Sequence, residues 1–356
     1  MKVIRLSTFL DYGGIESKMV KIAGRDSQDV EFIYVSLGRG GEAERKIKSK
    51  GRRVICLGID HRIPSLAAIV GLCKLFKTEK PDVVHCAGAE ANFHGVVASK
   101  LMGVKSIVVE EIGIPAQSRV AKSVFSLLYS VSSCVVVESR YVARYLRAFY
   151  RNSKFRLKVV NNFIEPPGVR AKNLQGKGVK KFLSVSRLEP VKGIDKVLYA
   201  FARLREEGFC FKYDVVGSGS QESYLSELVG QLGLIGFVEL HGFKNNVEDF
   251  YQSSDFFILN SVSEGASNSL LEALAYGLPS ITTEVGSAED LVRGEANGWL
   301  VKSNDSEEVY KSIKLALKLD SDTYFMMSKY SIESIQTGFS FQDYLDALRK
   351  IYLSTS

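Results

Sequence analysis

The chain has 356 residues, 46% hydrophobic and 24% charged, with only seven Pro. That is enough apolar material for two cores at roughly 150 residues per domain, and it excludes a long disordered or proline-rich tract. The formal net charge of +7 divides into +12 over residues 1–165 and −5 over residues 166–356, which turns the first half toward something anionic such as a membrane surface, a phosphorylated substrate or nucleic acid, or leaves it as a solvated basic surface.

Residues 1–14 lack the long apolar run and small-residue cleavage site of a signal peptide and read as the first buried strand. Short Val- and Ile-rich runs follow at 32–37, 54–57, 83–86, 106–109, 134–137 and 158–160, with helical periodicity between them at 65–76 and 91–101. The charge-free stretch 123–137 is 15 residues long with five Ser, too short and too polar to span a bilayer. The pattern breaks at the Pro- and Gly-rich residues 161–168 and the polar residues 169–181, with glycines at 168, 176 and 178, which read as an interdomain linker. Strands then resume at 182–185, 213–216, 237–240, 256–259 and 280–282, with helices at 194–207, 222–232 and 269–275 and a helical tail over 305–352. Alternating strands and helices imply right-handed crossovers and mostly parallel sheets, which bind ligands at the carboxyl ends of their strands. The five scattered Cys form no Cys-x-x-Cys pair, so a reducing cytoplasm without disulfides or zinc is expected.

Three stretches of the second half carry chemistry. Ser186-Arg187-Leu188-Glu189-Pro190-Val191-Lys192-Gly193 runs from a strand end into a helix start. Two cations beside a helix amino terminus suit a diphosphate, or are two surface charges on a loop. Val215-Val216-Gly217-Ser218-Gly219 ends the next strand, and its glycines permit close backbone approach by a ligand. Glu222 stands where a dinucleotide fingerprint has its third glycine, which argues against NAD. In the third stretch, Glu264 precedes a helix opened by Ser267 or Asn268, and Glu272 follows eight positions on. Both carboxylates can accept hydrogen bonds from hydroxyls of one ligand, a sugar and a ribose. Asp320-Ser321-Asp322 lies between tail helices rather than at a strand end and is rejected as a metal site. The four His show no ligand spacing. His85, on a strand, is a candidate acceptor contact or a buried imidazole. Arg140, Arg144, Arg147 and Arg151 share one helical face, and Arg119 and Lys122 precede an apolar run, so either helix could meet anionic lipid headgroups or a lipid diphosphate. No nucleic-acid recognition motif accompanies this charge.

Together with His241-Gly242-Phe243 these stretches resemble glycosyltransferase family 4, the retaining nucleotide-sugar transferases with the GT-B fold; the likeness is strong over 182–301 and weaker through Gly13-Gly14-Ile15-Glu16, Asp82-Val83-Val84-His85 and Val160-Asn161-Asn162. The resemblance implies two Rossmann-like α/β domains facing each other across a cleft. These would be an acceptor-side domain over 1–165, a nucleotide-sugar domain over 166–340, and a C-terminal helix over 341–356 packing back toward the first. It implies that Arg187 and Lys192 hold the donor diphosphate, Glu264 contacts the sugar, Glu272 the ribose, and Gly217, Gly242 and Phe243 lie near the nucleotide. Asn268, Ser269 and Leu270 would present amides to the sugar or phosphates. Gly13 and Gly14 would form a loop over the diphosphate and acceptor. Family members often carry a His after the strand at 106–109; here Glu110-Glu111 stand there, and Glu111 would take over that sugar contact or leave it unmade. Ser186 replaces the family's usual Gly.

The implied activity is retaining transfer of a hexosyl or N-acetylhexosaminyl group from a nucleotide diphosphate sugar, uridine preferred and guanosine second. The acceptor would be a glycan, preferably lipid-linked, in surface polysaccharide synthesis. No metal or other cofactor and no nucleic acid are expected. The implied location is the cytoplasm, peripheral on the inner face of the cell membrane. The rivals are a nucleotide-sugar epimerase of the same fold and a non-catalytic nucleotide-sugar-binding protein.

Overall fold

The computed structural model describes residues 1–11, 13–25, 29–115, 118–165, 167–174, 178–302 and 305–354; Pro166 and Gly176 of the expected linker lie outside the described residues. The chain forms two compact units, the first comprising Met1–Glu138, Val142–Val160 and Leu345–Ser356, the second Ser139–Tyr141 and Asn161–Tyr344.

The first part of the chain alternates β1 (Lys2–Ser7), α1 (Gly14–Ala23), β2 (Glu31–Ser36), α2 (Glu42–Ser49), β3 (Arg53–Cys56), α3 (Leu66–Glu79), β4 (Val83–Ala87), α4 (Ala89–Leu101), β5 (Ser106–Glu111), α5 (Arg119–Val131), β6 (Cys134–Val137), α6 (Arg140–Phe149) and β7 (Leu157–Val159). The strands pair in parallel in the order β3-β2-β1-β4-β5-β6-β7. Strand residues alternate between faces. Ile4, Leu6, Ile33, Val35, Val84 and Cys86 pack on Ala68, Leu72 and Phe76 of α3 and Ala91 and Ala98 of α4. Tyr34 packs on Met19 and Ala23 of α1 and Ala43 and Ile47 of α2. Ser65 opens α3 and Ser118 opens α5, each hydroxyl accepting a backbone N–H from three residues on.

The same alternation places charge on the α1 side. Arg5 of β1, His85 of β4 and Glu110 of β5 are buried, and Arg5 lies 3.1 Å from His85 Nδ1 and 3.3 Å from Glu110 Oε2. Lys18 of α1 donates to both Glu110 and Glu138. Two cations thus face two carboxylates, the arrangement a buried charge requires. Burial works to raise the Glu110 carboxyl, but Lys18, His85 and Arg5 outweigh it and hold the group well below the usual carboxylate range.

The remainder runs through β8 (Lys180–Val185), α7 (Ile194–Glu206), β9 (Phe211–Val216), α8 (Glu222–Gln231), β10 (Val238–Leu240), α9 (Glu248–Ser253), β11 (Phe256–Leu259), α10 (Asn268–Ala275), β12 (Ser280–Thr283), α11 (Ala288–Leu291), β13 (Gly298–Val301), α12 (Ser306–Lys318), α13 (Ser321–Gln336) and α14 (Phe341–Leu353). Its parallel sheet has the order β10-β9-β8-β11-β12-β13. Phe182, Phe201, Phe211, Tyr213 and Phe256 fill one face, and Leu183, Phe257 and Leu259 meet Leu270, Leu271 and Leu274 of α10 on the other. β13 is absent from the strands expected from sequence. Both sheets reverse direction once, between β1 and β4 and between β8 and β11, and doubly wound sheets bind ligands outside the strand ends at such a point.

The 161–168 stretch is not simply a connector. Ile164 N–H donates to Phe339 O (2.9 Å), and the Phe163 ring packs on Phe341 and Tyr344 at 5.0 and 4.9 Å. Asp320 of the Asp-x-Asp opens α13 by accepting from Thr323 N (2.9 Å). Among the described residues no helix is long and apolar enough to cross a membrane.

Candidate functional site

At the reversal of the second sheet, β8 and β11 lie side by side and release their loops in the same direction. The β8 loop makes a short 3-10 turn, Pro190–Lys192, and Gly193 then takes a left-handed conformation (φ 58°) to start α7. The β11 loop clamps it. Asn260 Nδ2 donates to Gly193 O (3.0 Å), and Val262 N–H donates to Val191 O (2.8 Å). A Cβ at Gly193 would stand 2.6 Å from Asn260 O, so the two loops touch through a glycine. This clamp delivers Lys192 Nζ to Glu264 Oε1 at 2.5 Å, with side-chain exposures of 14% and 12%. Ser261 Oγ donates to the same Glu264 oxygen (2.6 Å). Arg187 is exposed, and its guanidinium makes no hydrogen bond or ion pair among the described residues.

α10 begins directly after Glu264. Ser267, rather than Asn268, caps it by accepting from Leu270 N (3.3 Å), and Ser267 N–H donates to Ser287 Oγ (3.2 Å). Gly286 lies against Glu264 so closely that a Cβ there would meet Glu264 Cβ at 2.8 Å. Asn162 donates to the Asn268 side chain. One turn on, Glu272 accepts from Tyr251 OH (3.0 Å), whose ring stacks on Tyr276.

The glycines of the β9 loop make a close approach within the chain itself. A Cβ at Gly217 (φ 140°) would stand 1.8 Å from Ser186 O, and one at Gly219 would stand 2.4 Å from Leu188 O. The close approach is to the chain's own β8 loop, so these glycines seat the loop that carries Arg187. Gly217 N–H also donates to Gly242 O (2.9 Å), which joins the β9 and β10 loops. Beside them Phe243 is 68% exposed, a free aromatic face. His241 Nε2 lies 2.7 Å from Asp214 Oδ1, and these two with Glu239 bring ligand atoms within 4.8 Å of one another. They come from paired strands, which spacing along the chain does not reveal.

The first unit departs further from expectation. Gly13 (φ 157°) precedes α1, and a Cβ there would strike the Glu16 carboxylate at 2.2 Å; around Gly14 nothing lies within 4 Å. The reading of His85 as an acceptor contact is corrected. It is fully buried, its Nδ1 lies 2.7 Å from Tyr352 OH, and burial first, then Arg5, push its pKa down to about 4. It is a neutral imidazole in a charge cluster. Glu111 is partly buried: its carboxyl accepts from Tyr129 OH (2.5 Å) and Asn92 Nδ2 (3.0 Å), and burial raises it to about 7. The arginine stripe is broken at its first member, because Arg140 pairs with Asp290 (3.5 Å).

Residues 12–166 match the family described as Glycosyltransferase Family 4, and residues 168–334 match Glycosyl transferases group 1. The chain belongs to glycosyltransferase family 4. WcaL of Escherichia coli K12, named for colanic acid biosynthesis, is 32% identical over 170 residues, 46% of this chain and 42% of WcaL. The chain thus aligns with less than half the length of the first curated relatives it matches. An Escherichia coli UDP-Gal:alpha-D-GlcNAc-diphosphoundecaprenol alpha-1,3-galactosyltransferase is 25% identical over 82% of this chain and 80% of its own length. Among solved structures, a glycosyltransferase from Rickettsia africae superposes with a TM-score of 0.85 at 18% identity, over 99% of this chain and 98% of that one. Anabaena Alr3699/HepE in complex with UDP gives 0.84 at 19%, over 99% and 100%. The fold is that of the GT-B glycosyltransferases.

For this family 4 chain, sequence reasoning missed the groups that hold the expected residues in place: Asn260, Ser261, Tyr251 and Gly286. Asn260 and Ser261 follow an apolar strand directly, which is the one signal that could have found them.

Proposed function

We propose that the chain is a retaining glycosyltransferase that moves one sugar from a nucleotide diphosphate sugar, UDP preferred, to a glycan acceptor. The observation that carries this is the Lys192–Glu264 contact at the sheet reversal, with an exposed Arg187 on the same β8 loop as Lys192. Arg187 and Lys192 supply positive charge where a leaving diphosphate develops negative charge, and preorganised charge of this kind lowers such barriers most. Glu264, already bonded to Lys192 and Ser261, keeps lone pairs for sugar hydroxyls. Glu272, held by Tyr251, serves the ribose hydroxyls, and Phe243 offers a face to the base. The amides at Asn268–Leu270 complete the donor surroundings, with residues 166–340 as the donor side and residues 1–165 as the acceptor side.

The departing phosphate oxygen takes the acceptor hydroxyl proton as the C–O bond to the anomeric carbon breaks, and the new bond forms on the same face. The sugar is a hexose or N-acetylhexosamine, and no metal is required for these steps. The acceptor is lipid-linked, which places the working protein peripherally on the inner face of a membrane.

The test is incubation with UDP- and GDP-sugars and a short-chain prenyl diphosphate glycan. The expected product is the acceptor lengthened by one sugar, with the donor's anomeric configuration kept by NMR. Isomerised donor with acceptor untouched would make the protein an epimerase, and donor binding without turnover would make it a binding protein.

A further inference from the structure

Residues 118–158 contain nine Lys and Arg and a single acidic residue, Glu138. That one carboxylate is buried and paired with Lys18, so it offsets nothing at the surface. Arg147 in the last turn of α6 and Arg151, two residues past its end, are exposed, and neither makes a hydrogen bond or ion pair among the described residues. They line a pocket of about 270 Å³ with Tyr150, Ser153, Phe155 and Leu157. The pocket is built rather than incidental. The Tyr150 ring meets Tyr129 of α5 at 5.1 Å and Phe155 at 6.2 Å, and Ser153 bonds Ser126 of α5. Lys122 of α5 covers the Phe149 ring at 4.1 Å, which locks α5 to α6. On the outer side of α5, Val120 and Leu127 are 76% and 64% exposed.

We propose that the α5–α6 face docks on an anionic phospholipid surface, with a headgroup phosphate seated between Arg147 and Arg151 and with Val120 and Leu127 entering the acyl boundary. Two guanidiniums suit a phosphate because each offers paired N–H donors to its oxygens. The exposed apolar side chains of α5 are what separates a bilayer from a soluble polyanion, since a surface that lies at an interface needs both basic and apolar groups. Arg140, bound to Asp290, takes no part. This deepens the membrane placement above and rests on it for its purpose, yet it is measured without any donor sugar. A failure here leaves the transfer reaction untouched, and a failed transfer assay leaves vesicle binding untouched.

The experiment is co-sedimentation of the whole chain with phosphatidylcholine vesicles, with and without 30% phosphatidylglycerol. Binding at least tenfold tighter to the anionic vesicles is expected, weakening with salt. The double variant Arg147→Glu/Arg151→Glu should lose it. Lys74→Glu/Lys77→Glu, the same charge change on α3, should keep it, provided both variants melt as wild type does. Leu127→Gln should weaken it several-fold at unchanged charge. Wild-type binding by the Arg147/Arg151 variant, equal loss in the α3 control, release by inorganic phosphate at constant ionic strength, or tighter binding to an oligonucleotide than to vesicles would each overturn the proposal.

Discussion

The two units hold their charges in opposite ways. In the first, Arg5, Lys18, Glu110 and Glu138 are sealed together with a neutral His85 under Tyr352, and every charge has an opposite within the cluster. In the second, Lys192 and Glu264 sit in the loops after strands and remain reachable, and Arg187 is exposed with no hydrogen bond or ion pair among the described residues. A charge cluster is thus not a site in itself. What distinguishes a site is charge left unneutralised at the carboxyl end of a doubly wound sheet, where the fold leaves room for a ligand.

The sharpest way to break this comparison is to remove one lysine from each unit. Lys18→Met should cost about 3–5 kcal/mol of stability, because it takes the paired cation from buried Glu138 and leaves buried Glu110 with Arg5 alone. Denaturant unfolding reads it, and activity at low temperature should persist in the fraction that folds. Lys192→Met should do the reverse. Its melting point should stay near wild type, and turnover should fall by roughly 10²–10³, as when one preorganised transition-state donor is lost. If Lys18→Met proved harmless to stability while abolishing turnover, the roles of the two clusters would be exchanged.

A third variant sharpens the picture of the first unit by pH. The Glu111 carboxyl is raised to about 7 by burial, so the folded chain keeps a proton that the unfolded chain releases near 4.5. Stability from this group is full below 4.5, falls as pH rises toward 7, and is fully lost above it. Glu111→Gln removes the ionisation while still able to accept from Tyr129 and Asn92. Its melting point should match wild type at pH 4 and exceed it at pH 8. A constant difference across that range would show that Glu111 does not titrate on folding. The smallest effect is at the cap of α13, where Asp320→Ala should cost about 1 kcal/mol with no change in any metal response. Chelator sensitivity lost in that variant would restore the Asp-x-Asp as a metal site.

Much of the fold was legible because parallel strands are buried on both faces and read as Val- and Ile-rich runs. β13 was not, because Gly298-Trp299-Leu300-Val301 is four residues long and only two of them are fully buried. Arg187, Lys192, Glu264 and Glu272 were legible as types at strand ends. Their supports were not, because Asn260 touches Gly193 only once β8 and β11 are neighbours, and the order of strands cannot be read from their sequences. His85 misled for a related reason. Alternation along β4 says that His85 and Cys86 face opposite ways, but it does not say that the His85 side is covered by α1 and the end of α14. Gly217 is legible as a point of close backbone approach, and the approach the structure shows is to Ser186 O of the neighbouring loop.

The grip of Arg187 and Lys192 on a diphosphate is tested most directly by calorimetric titration of UDP, GDP and the free nucleosides into wild type, Arg187→Ala and Lys192→Met. Wild type should bind one diphosphate well above its nucleoside. Both variants should lose at least tenfold in affinity for that diphosphate while binding the nucleoside as wild type does. Unchanged diphosphate affinity in the two variants would contradict the assignment outright.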